Sequence, residues 1–167
     1  MVIGDKLTKA LNDQIKEEFA SAYLYLAMGA YFDDKDLPGS AAWMRQQGKE
    51  ELGHGMRIYK YIVEREGRAV FDALSRPQDR WDSPLAAFEA AYKHEQHISE
   101  CFQKLMQLAR TEQDVTTESF LRWFVDEQVE EEAQTIAIVK QLRMVGDSAQ
   151  GMFMVDRELG QRGAEQQ

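Results

Sequence analysis

The chain has 167 residues, 44% of them hydrophobic, and a net charge of −9. This length allows one domain with a sizeable core, and the negative charge argues against a nucleic-acid partner. No apolar run approaches about 18 residues and no basic, apolar leader opens the sequence, so we expect neither a membrane span nor a secretory signal. The single cysteine, Cys101, excludes an intrachain disulfide and favours a reducing, cytoplasmic location.

Helix start and stop signals divide the chain into four long helices and a short fifth one. Asp5 is the expected N-cap of the first helix, Pro38 lies in the first turn of the second, and Ser83 precedes Pro84 at the start of the third. The expected helices cover about 5–33, 38–66, 84–111, 115–145 and 148–159. We expect one domain over residues 1–160 and a polar C-terminal tail over residues 161–167.

The connections between these helices predict the topology. The first and third connections are short, which makes two antiparallel helical hairpins. The second connection, "GRAVFDALSRPQDRWDS", is long enough to cross the length of a bundle. The sequence therefore predicts an all-α four-helix bundle with one long crossover between helices 2 and 3 and a short fifth C-terminal helix.

Each long helix carries a stripe of residues at alternating steps of three and four, as a bundle core requires. A polar group interrupts the middle of every stripe, at Glu18, at Glu51 with His54, at Glu95, and at Gln128 with Glu131. Buried carboxylates are costly unless they are paired or bind a metal. Four of them at one level predict a dinuclear metal site, and carboxylates with one imidazole suit iron or manganese better than zinc.

An internal repeat supports this interpretation. Glu18 and Glu95 are 77 residues apart (95 − 18), as are Glu51 and Gln128 (128 − 51) and His54 and Glu131 (131 − 54). Each hairpin would then contribute a related set of ligands, although the second one has Gln-x-x-Glu in place of Glu-x-x-His.

Each of these features has an ordinary explanation when it stands alone. A single Glu-x-x-His on a charged helix is usually a solvated pair, an acidic run at 130–132 is usually a solvated face, and a buried tyrosine usually belongs to the core. Gly53 and Gly55 weaken a helix, and we expect their missing side chains to let a neighbouring helix or metal ligand approach closely. The coincidence of four stripes, one level and one repeat favours the metal site.

Four segments resemble the bacterial non-haem ferritins: "QIKEEFASAYLY" (14–25), "KEELGH" (49–54), "YKHEQ" (92–96) and "WFVDEQVEEE" (123–132). The resemblance covers nearly the whole chain. It implies a ferritin-like fold, a hollow shell of 24 subunits, oxidation of Fe(II) by O2 or H2O2, and storage of the ferric product as a mineral. The short fifth helix resembles the one that lines a channel in such shells, and its Met152, Phe153 and Val155 suit a subunit contact.

The resemblance also implies roles for individual residues. Glu18, Glu51 and His54 would bind the first iron, and Glu51 would bridge to a second iron. The other residues of that centre would be Glu95 and Glu131 as ligands of the second iron, with Gln128 and Tyr25 beside the pair. A third, inward iron site would use Glu50, Glu127 and Glu130, sharing Glu131.

Two departures point away from the haem-containing bacterioferritins. Leu52 follows the bridging glutamate where those proteins have a methionine that binds haem, and the second Glu-x-x-His is incomplete, so no haem is expected. Two other functions stay open. One is a di-iron enzyme of rubrerythrin type that reduces oxygen or peroxide without storing mineral. The other is a helical adaptor whose central acids bind a partner or a structural cation.

Overall fold

A computed structural model describes residues 1–162 and confirms the all-α architecture. The helices are α1 (Asp5–Asp34), α2 (Pro38–Glu64), α3 (Pro84–Thr111), α4 (Val115–Val145) and α5 (Ala149–Arg162). Helix α1 packs along α2 and helix α3 along α4, which gives the two hairpins that the short connections predict. None of the helices in the described part of the chain is long and apolar enough to cross a bilayer.

The helix ends differ from the predictions in three places. Helix α2 ends at Glu64, two residues early, and α5 continues to Arg162, so the expected tail starts with two helical residues. The rest of that tail, residues 163–167, lies outside the described residues. Asp5 does not cap α1, because it is the first helical residue and Gly4 occupies the cap position. Ser83 does cap α3: its Oγ accepts a hydrogen bond of 3.0 Å from the Ala86 N–H.

The two interhelical turns have the same backbone conformation at positions 77 residues apart. The α1–α2 turn has Asp36 at φ 55°, and the α3–α4 turn has Gln113 at φ 55° (113 − 36 = 77). In the first turn the Leu37 N–H donates to the carbonyl of Phe32, and in the second the Asp114 N–H donates to Ala109, again 77 residues on. The two hairpins are therefore related in backbone conformation as well as in sequence.

The crossover, residues 65–83, runs along α1 without forming a helix or strand. Asn12 accepts from the Val70 N–H at 2.7 Å, and Phe71 stacks on Phe19 with ring centroids 5.5 Å apart. Trp81 reaches the far end of α1, where its ring lies 5.3 Å from that of Tyr31. These contacts carry the chain from one end of the bundle to the other.

The core consists of two hydrophobic clusters separated by a polar layer. One cluster fills the end that holds Tyr25 and Phe88, and the other fills the end that holds Ile15 and Phe102. Every residue of the four predicted stripes is buried, so the predicted helix faces are confirmed. The polar residues between the clusters are the ones that interrupt the stripes, and they form the candidate site.

Helix α5 docks on the start of α2 through Asp156. The carboxylate of this buried residue accepts hydrogen bonds from the N–H groups of Gly39 (3.0 Å) and Ser40 (2.7 Å), and from the Ser40 hydroxyl (2.7 Å). No side chain of the residues at the start of α2 itself caps the helix, so an acid from α5 satisfies its free N–H groups. A Cβ at Gly39 would lie 1.7 Å from the Asp156 carbonyl oxygen, which shows how closely the two helices approach.

Candidate metal centre

The polar layer gathers four buried carboxylates and one imidazole from four helices. Glu18, Glu51, Glu95 and Glu131 are each at most 2% exposed, and His54 is 6% exposed. The apolar stripe of each helix faces the core, so the polar groups that interrupt the stripes lie inside the bundle at the same height. The structure thus brings the predicted residues into one layer.

Glu18, Glu51 and His54 form a compact group of donor atoms within 4.8 Å of one another. His54 Nδ1 lies 3.3 Å from Glu51 Oε2 and 3.6 Å from Glu18 Oε2. The remaining oxygen of Glu18 accepts a hydrogen bond of 2.7 Å from Gln14 Nε2. This arrangement turns three donor atoms toward one point.

Several of these donor atoms form no hydrogen bond of good geometry among residues 1–162, although they contact one another as an ion-pair group. They are Glu18 Oε2, Glu51 Oε1, Glu51 Oε2 and His54 Nδ1. Buried polar atoms in folded proteins are nearly always satisfied, and each unsatisfied one costs about 1–3 kcal/mol. Four of the six such side-chain atoms among residues 1–162 belong to the residues predicted to hold the first metal and to bridge to the second, and the other two are Tyr31 Oη and Trp81 Nε1. A cation with a preference for oxygen and imidazole donors fits them.

Glu95 is held by hydrogen bonds from α1 and α4. The Tyr25 hydroxyl donates to Glu95 Oε1, and Gln128 Nε2 donates to Glu95 Oε2 at 3.2 Å. Both oxygens therefore have a donor. Tyr25 and Gln128 lie beside the predicted centre, in contact with a predicted ligand of the second metal.

Glu131 is oriented by Gln47, whose amide donates to Glu131 Oε2. Gln47 is fully buried and lies on the α2 stripe four residues before Glu51. Gln47 is a further polar residue on the buried face of α2, and this interruption of an apolar stripe is the signal in the sequence that could have identified it. Gln14, which the sequence did not place on the α1 stripe, precedes Glu18 by four residues and donates a hydrogen bond to it.

The three acids predicted for an inward site are not grouped together. Glu127 comes within 4.8 Å of donor atoms of His54 and Glu131. Glu130 is exposed, and Glu50 is half-buried and paired with Arg162 at 3.0 Å. The third site stays a prediction, with Glu127 as the member nearest to the buried centre.

Arg162, the last described residue of α5, is a contact that no sequence signal indicated. Its guanidinium donates to Gln47 Oε1 at 2.9 Å and to Glu50 Oε2 at 3.0 Å, and it lies 4.9 Å from the Trp43 ring centroid. Because Gln47 bonds to Glu131, Arg162 connects α5 to a predicted metal ligand through one amide. The sequence predicts that this arginine lies in the polar tail, whereas in the structure it ends α5.

Burial and mutual repulsion raise the pKa values of three carboxyl groups of the layer. Burial first, and then the charges of Glu18 and Glu95, raise the pKa of Glu51 well above its usual range. Burial and the charge of Glu95 raise the pKa of Glu131 to about 7. Burial also raises the pKa of Glu95. The layer resists carrying four negative charges unless cations are present.

His54 and Tyr25 respond to the same charges. Burial lowers the pKa of His54, but its contacts with the carboxylates of Glu18 and Glu51 outweigh that effect and raise the pKa to about 11. Burial and the charges of Glu95 and Glu51 raise the pKa of Tyr25 well above 10. In the absence of metal His54 is therefore the protonated countercharge of the layer, and Tyr25 is a neutral phenol that donates a hydrogen bond.

The two glycines beside His54 have different surroundings. A Cβ at Gly55 would lie 2.5 Å from Phe19 Cε1 and 3.3 Å from Glu18 Cβ, so the expected close approach of a neighbouring helix is confirmed there. A Cβ at Gly53 would meet no described atom within 4 Å. The expectation is wrong for Gly53, which faces away from α1.

Comparison with known proteins agrees with this geometry. Residues 8–145 match the family described as the ferritin-like domain. The chain is 41% identical over 161 residues to the bacterial non-heme ferritin of Bacteroides fragilis (strain 638R), covering 96% of this chain and 100% of that protein. It is 40% identical over 161 residues to the bacterial non-heme ferritin of Staphylococcus aureus (strain MRSA252), covering 96% and 97%.

Among solved structures, the chain is similar to an open pore ferritin from the hyperthermophilic archaeon Archaeoglobus fulgidus. The TM-score is 0.94 and the identity is 45%, over 95% of this chain and 98% of the other. The buried acid layer, the bundle and the family match together show that the chain belongs to the ferritin family, on its bacterial non-haem branch.

Proposed function

We propose that this protein stores iron, that it oxidises Fe(II) at the centre formed by Glu18, Glu51, His54, Glu95 and Glu131, and that it keeps the ferric product as a mineral inside a shell. The observation that carries the proposal is the set of buried, unsatisfied donor atoms on Glu18, Glu51 and His54. Family membership and the similarity to ferritin structures support the same function. Iron is here the substrate and the cargo of the protein.

The chain's own residues would prepare the centre for two ions. Glu51 has both oxygens free of hydrogen bonds, which suits a carboxylate that bridges two cations. His54 gives up its proton when Nδ1 binds the metal, because the cation replaces the proton as countercharge to Glu18 and Glu51. Gln47 and Gln128 orient Glu131 and Glu95 by hydrogen bonds.

Two Fe(II) ions held side by side would each be oxidised to Fe(III) and supply two electrons together, which with two protons from the solvent convert O2 to H2O2, or H2O2 to two molecules of water. Pairing the electrons in this way avoids free superoxide. Tyr25 lies against Glu95 as a neutral phenol, from which it can provide a hydrogen bond or a proton with an electron. The hydrophobic clusters above and below the layer restrict the access of water to the centre.

The proposed shell has 24 subunits and a cytoplasmic location, the latter because the one cysteine fits a reducing compartment. Exposed apolar side chains on α5 and the end of α4 support self-association: Phe153 is 65% exposed, Met154 64% and Met144 86%. Val155 does not belong to this surface, because it is buried within the subunit, and Met152 is partly buried against the same core. The expectation of a subunit contact is therefore wrong for Val155, stays a prediction for Met152 and Phe153, and is extended to the exposed Met154.

The inward site is part of the proposal. Glu50, Glu127 and Glu130 would receive iron from the dinuclear centre, and Glu131 would be shared between them. Arg162 now holds Glu50 and would have to release it for iron to bind there. Glu127 is close to Glu131, which supports a path between the two sites.

The test combines iron binding with oxidation kinetics. Anaerobic titration should give saturable binding of two to three Fe(II) per chain, and stopped-flow absorbance should show the Glu51→Ala and His54→Ala variants oxidising Fe(II) at least about tenfold more slowly. Asp126→Ala, which removes an exposed acid of α4, is the matched control and should behave as wild type. Equal rates in all four proteins would overturn the dinuclear assignment.

Native mass and iron content after aerobic loading separate this function from the alternatives. A shell of about 24 subunits that retains hundreds of irons supports storage. A small oligomer that consumes oxygen or peroxide and retains no mineral would favour an enzyme of rubrerythrin type. Absence of saturable Fe(II) binding would favour a helical adaptor.

A further inference from the structure

A second group of metal-binding side chains lies outside the acid layer, where α1 meets α3. Glu17, His97 and Cys101 each offer one donor atom, and these atoms lie within 4.8 Å of one another. All three residues are partly or well exposed, and none of them belongs to the dinuclear set. The proposed iron chemistry leaves them without a role.

The spacing of the three residues explains why they meet. His97 and Cys101 are four residues apart on α3, so their side chains lie on one face, one above the other. Glu17 projects from α1 toward the same place, where its Oε2 contacts His97 Nε2. The single cysteine of the chain thus lies beside an imidazole and a carboxylate, two other groups that bind metals.

Two of the three distances between the donor atoms are close to those around a tetrahedral ion. Cys101 Sγ lies 3.7 Å from His97 Nε2, and His97 Nε2 lies 3.1 Å from Glu17 Oε2. Zinc binds sulfur at about 2.3 Å and nitrogen or oxygen at about 2.0–2.2 Å, which sets its tetrahedral ligands about 3.4–3.6 Å apart. Both observed distances are within about 0.3 Å of those values. The same nitrogen of His97 faces both partners, as a shared ion requires.

We propose that Glu17, His97 and Cys101 form a surface site for one divalent cation of the zinc class, separate from the iron centre. Thiolate and imidazole ligands select zinc and similar ions over magnesium, calcium or manganese, whereas the buried layer offers oxygen donors and one imidazole. Three protein ligands leave a fourth position for water. A groove of about 290 Å³, lined in part by Glu17, Cys101 and Lys104, adjoins two of the three ligands.

Cobalt(II) is the probe of choice, because a thiolate bound to it gives an intense near-ultraviolet charge-transfer absorption that carboxylate and imidazole ligands do not give. Metal-free assembled protein titrated with Co2+ under reducing, anaerobic conditions should develop this absorption and saturate it at one ion per chain. Added Zn2+ should then remove it, since zinc binds thiolate sites more tightly than cobalt. Cys101→Ser should abolish the signal.

His97→Ala and Glu17→Gln should each weaken Co2+ binding at this site at least about tenfold. The Glu51→Ala, His54→Ala double variant should keep the signal at full strength, so the result does not depend on the iron centre. Fe(II) oxidation by Cys101→Ser at the wild-type rate would show that this variant is folded. A wild-type protein without the charge-transfer absorption, or an absorption insensitive to both His97 and Glu17, would overturn the proposal.

Discussion

Gly53 and Gly55 flank His54 on α2, and only Gly55 contacts another helix. Gly53→Ala should therefore stabilise the protein by about 1 kcal/mol, because alanine is the better helix former and its Cβ meets no described atom. Gly55→Ala should destabilise it by about 1–3 kcal/mol, since the new Cβ would overlap Phe19 and press on Glu18. Urea unfolding of the two matched variants measures both effects.

Iron oxidation provides a second measurement on the same pair. We expect a normal rate for Gly53→Ala and a reduced rate for Gly55→Ala, because displacement of α1 moves Glu18 from the centre. A stabilising Gly55→Ala substitution with full activity would contradict the close approach of α1 and α2.

Protonation of the metal-free layer leads to a prediction about metal binding. At pH 7 His54 is charged, because its pKa is about 11, and Glu131 is about half protonated, because its pKa is about 7. Binding of Fe(II) should then release more than one proton per chain, and the affinity should rise with pH. Anaerobic calorimetry in two buffers of different ionisation enthalpy counts the protons.

The same shifts determine how the stability of the metal-free protein depends on pH. Both folded-state pKa values lie above the ordinary ones, 6.5 for His54 and 4.5 for Glu131, so the folded state binds more protons than the unfolded state between these limits. Stability should fall as pH rises through 4.5 to 7 on account of Glu131, and through 6.5 to 11 on account of His54. Glu131→Gln should flatten the first part of the curve, and an unchanged slope would contradict the assignment.

At the scale of the elements, α5 is attached to α2 by one buried carboxylate. Asp156→Ala removes all three hydrogen bonds to Gly39 and Ser40 and leaves the start of α2 without a cap. We expect a loss of about 1–2 kcal/mol, as for the removal of other helix caps. Thermal unfolding measures it, with Glu158→Ala, an exposed acid on the same helix, as the control.

Docking of α5 also positions Arg162 beside Gln47 and Glu50. Undocking should therefore change the later phase of iron uptake, in which iron moves toward the proposed inward site, more than the first oxidation. Multiple-turnover kinetics of Asp156→Ala would show whether α5 influences that phase. Identical turnover in wild type and variant would show that the docking of α5 through Asp156 does not affect iron uptake.

At the scale of the whole molecule, two related hairpins enclose one acid layer, and an apolar surface remains outside. Phe153→Glu should prevent or weaken shell assembly, because a charge would replace a side chain that is 65% exposed in the subunit. Size-exclusion chromatography with light scattering measures the mass. Arg157→Gln makes the same change of net charge on the exposed side of α5 and should leave assembly intact.

An assembled Phe153→Glu shell of normal mass would show that this surface is not a subunit contact. If the variant instead dissociates while its subunits still bind Fe(II), the centre is complete within one chain. That result is the one expected, since all the predicted ligands of the dinuclear centre come from one four-helix bundle.

The sequence by itself determined the helices, the buried stripes and the level of the acid layer. These follow from a local rule, the spacing of apolar residues at steps of three and four, and from the cost of a carboxylate on an apolar stripe. The 77-residue repeat further predicted that the two hairpins are related and that each contributes ligands to the same layer. Residues such as Glu51 and His54 could be identified because they are polar side chains at positions where the stripe calls for apolar ones.

Only the tertiary structure decided which partners hold these groups. Gln47 meets Glu131 across 84 residues, Asp156 meets Ser40 across 116, and Arg162 meets Gln47 across 115. The grouping of Glu17 with His97, 80 residues apart, and Cys101 is of the same kind. Contacts of this type depend on the path of the crossover and on how α5 docks. The spacing of apolar residues along the chain predicts neither the path nor the docking.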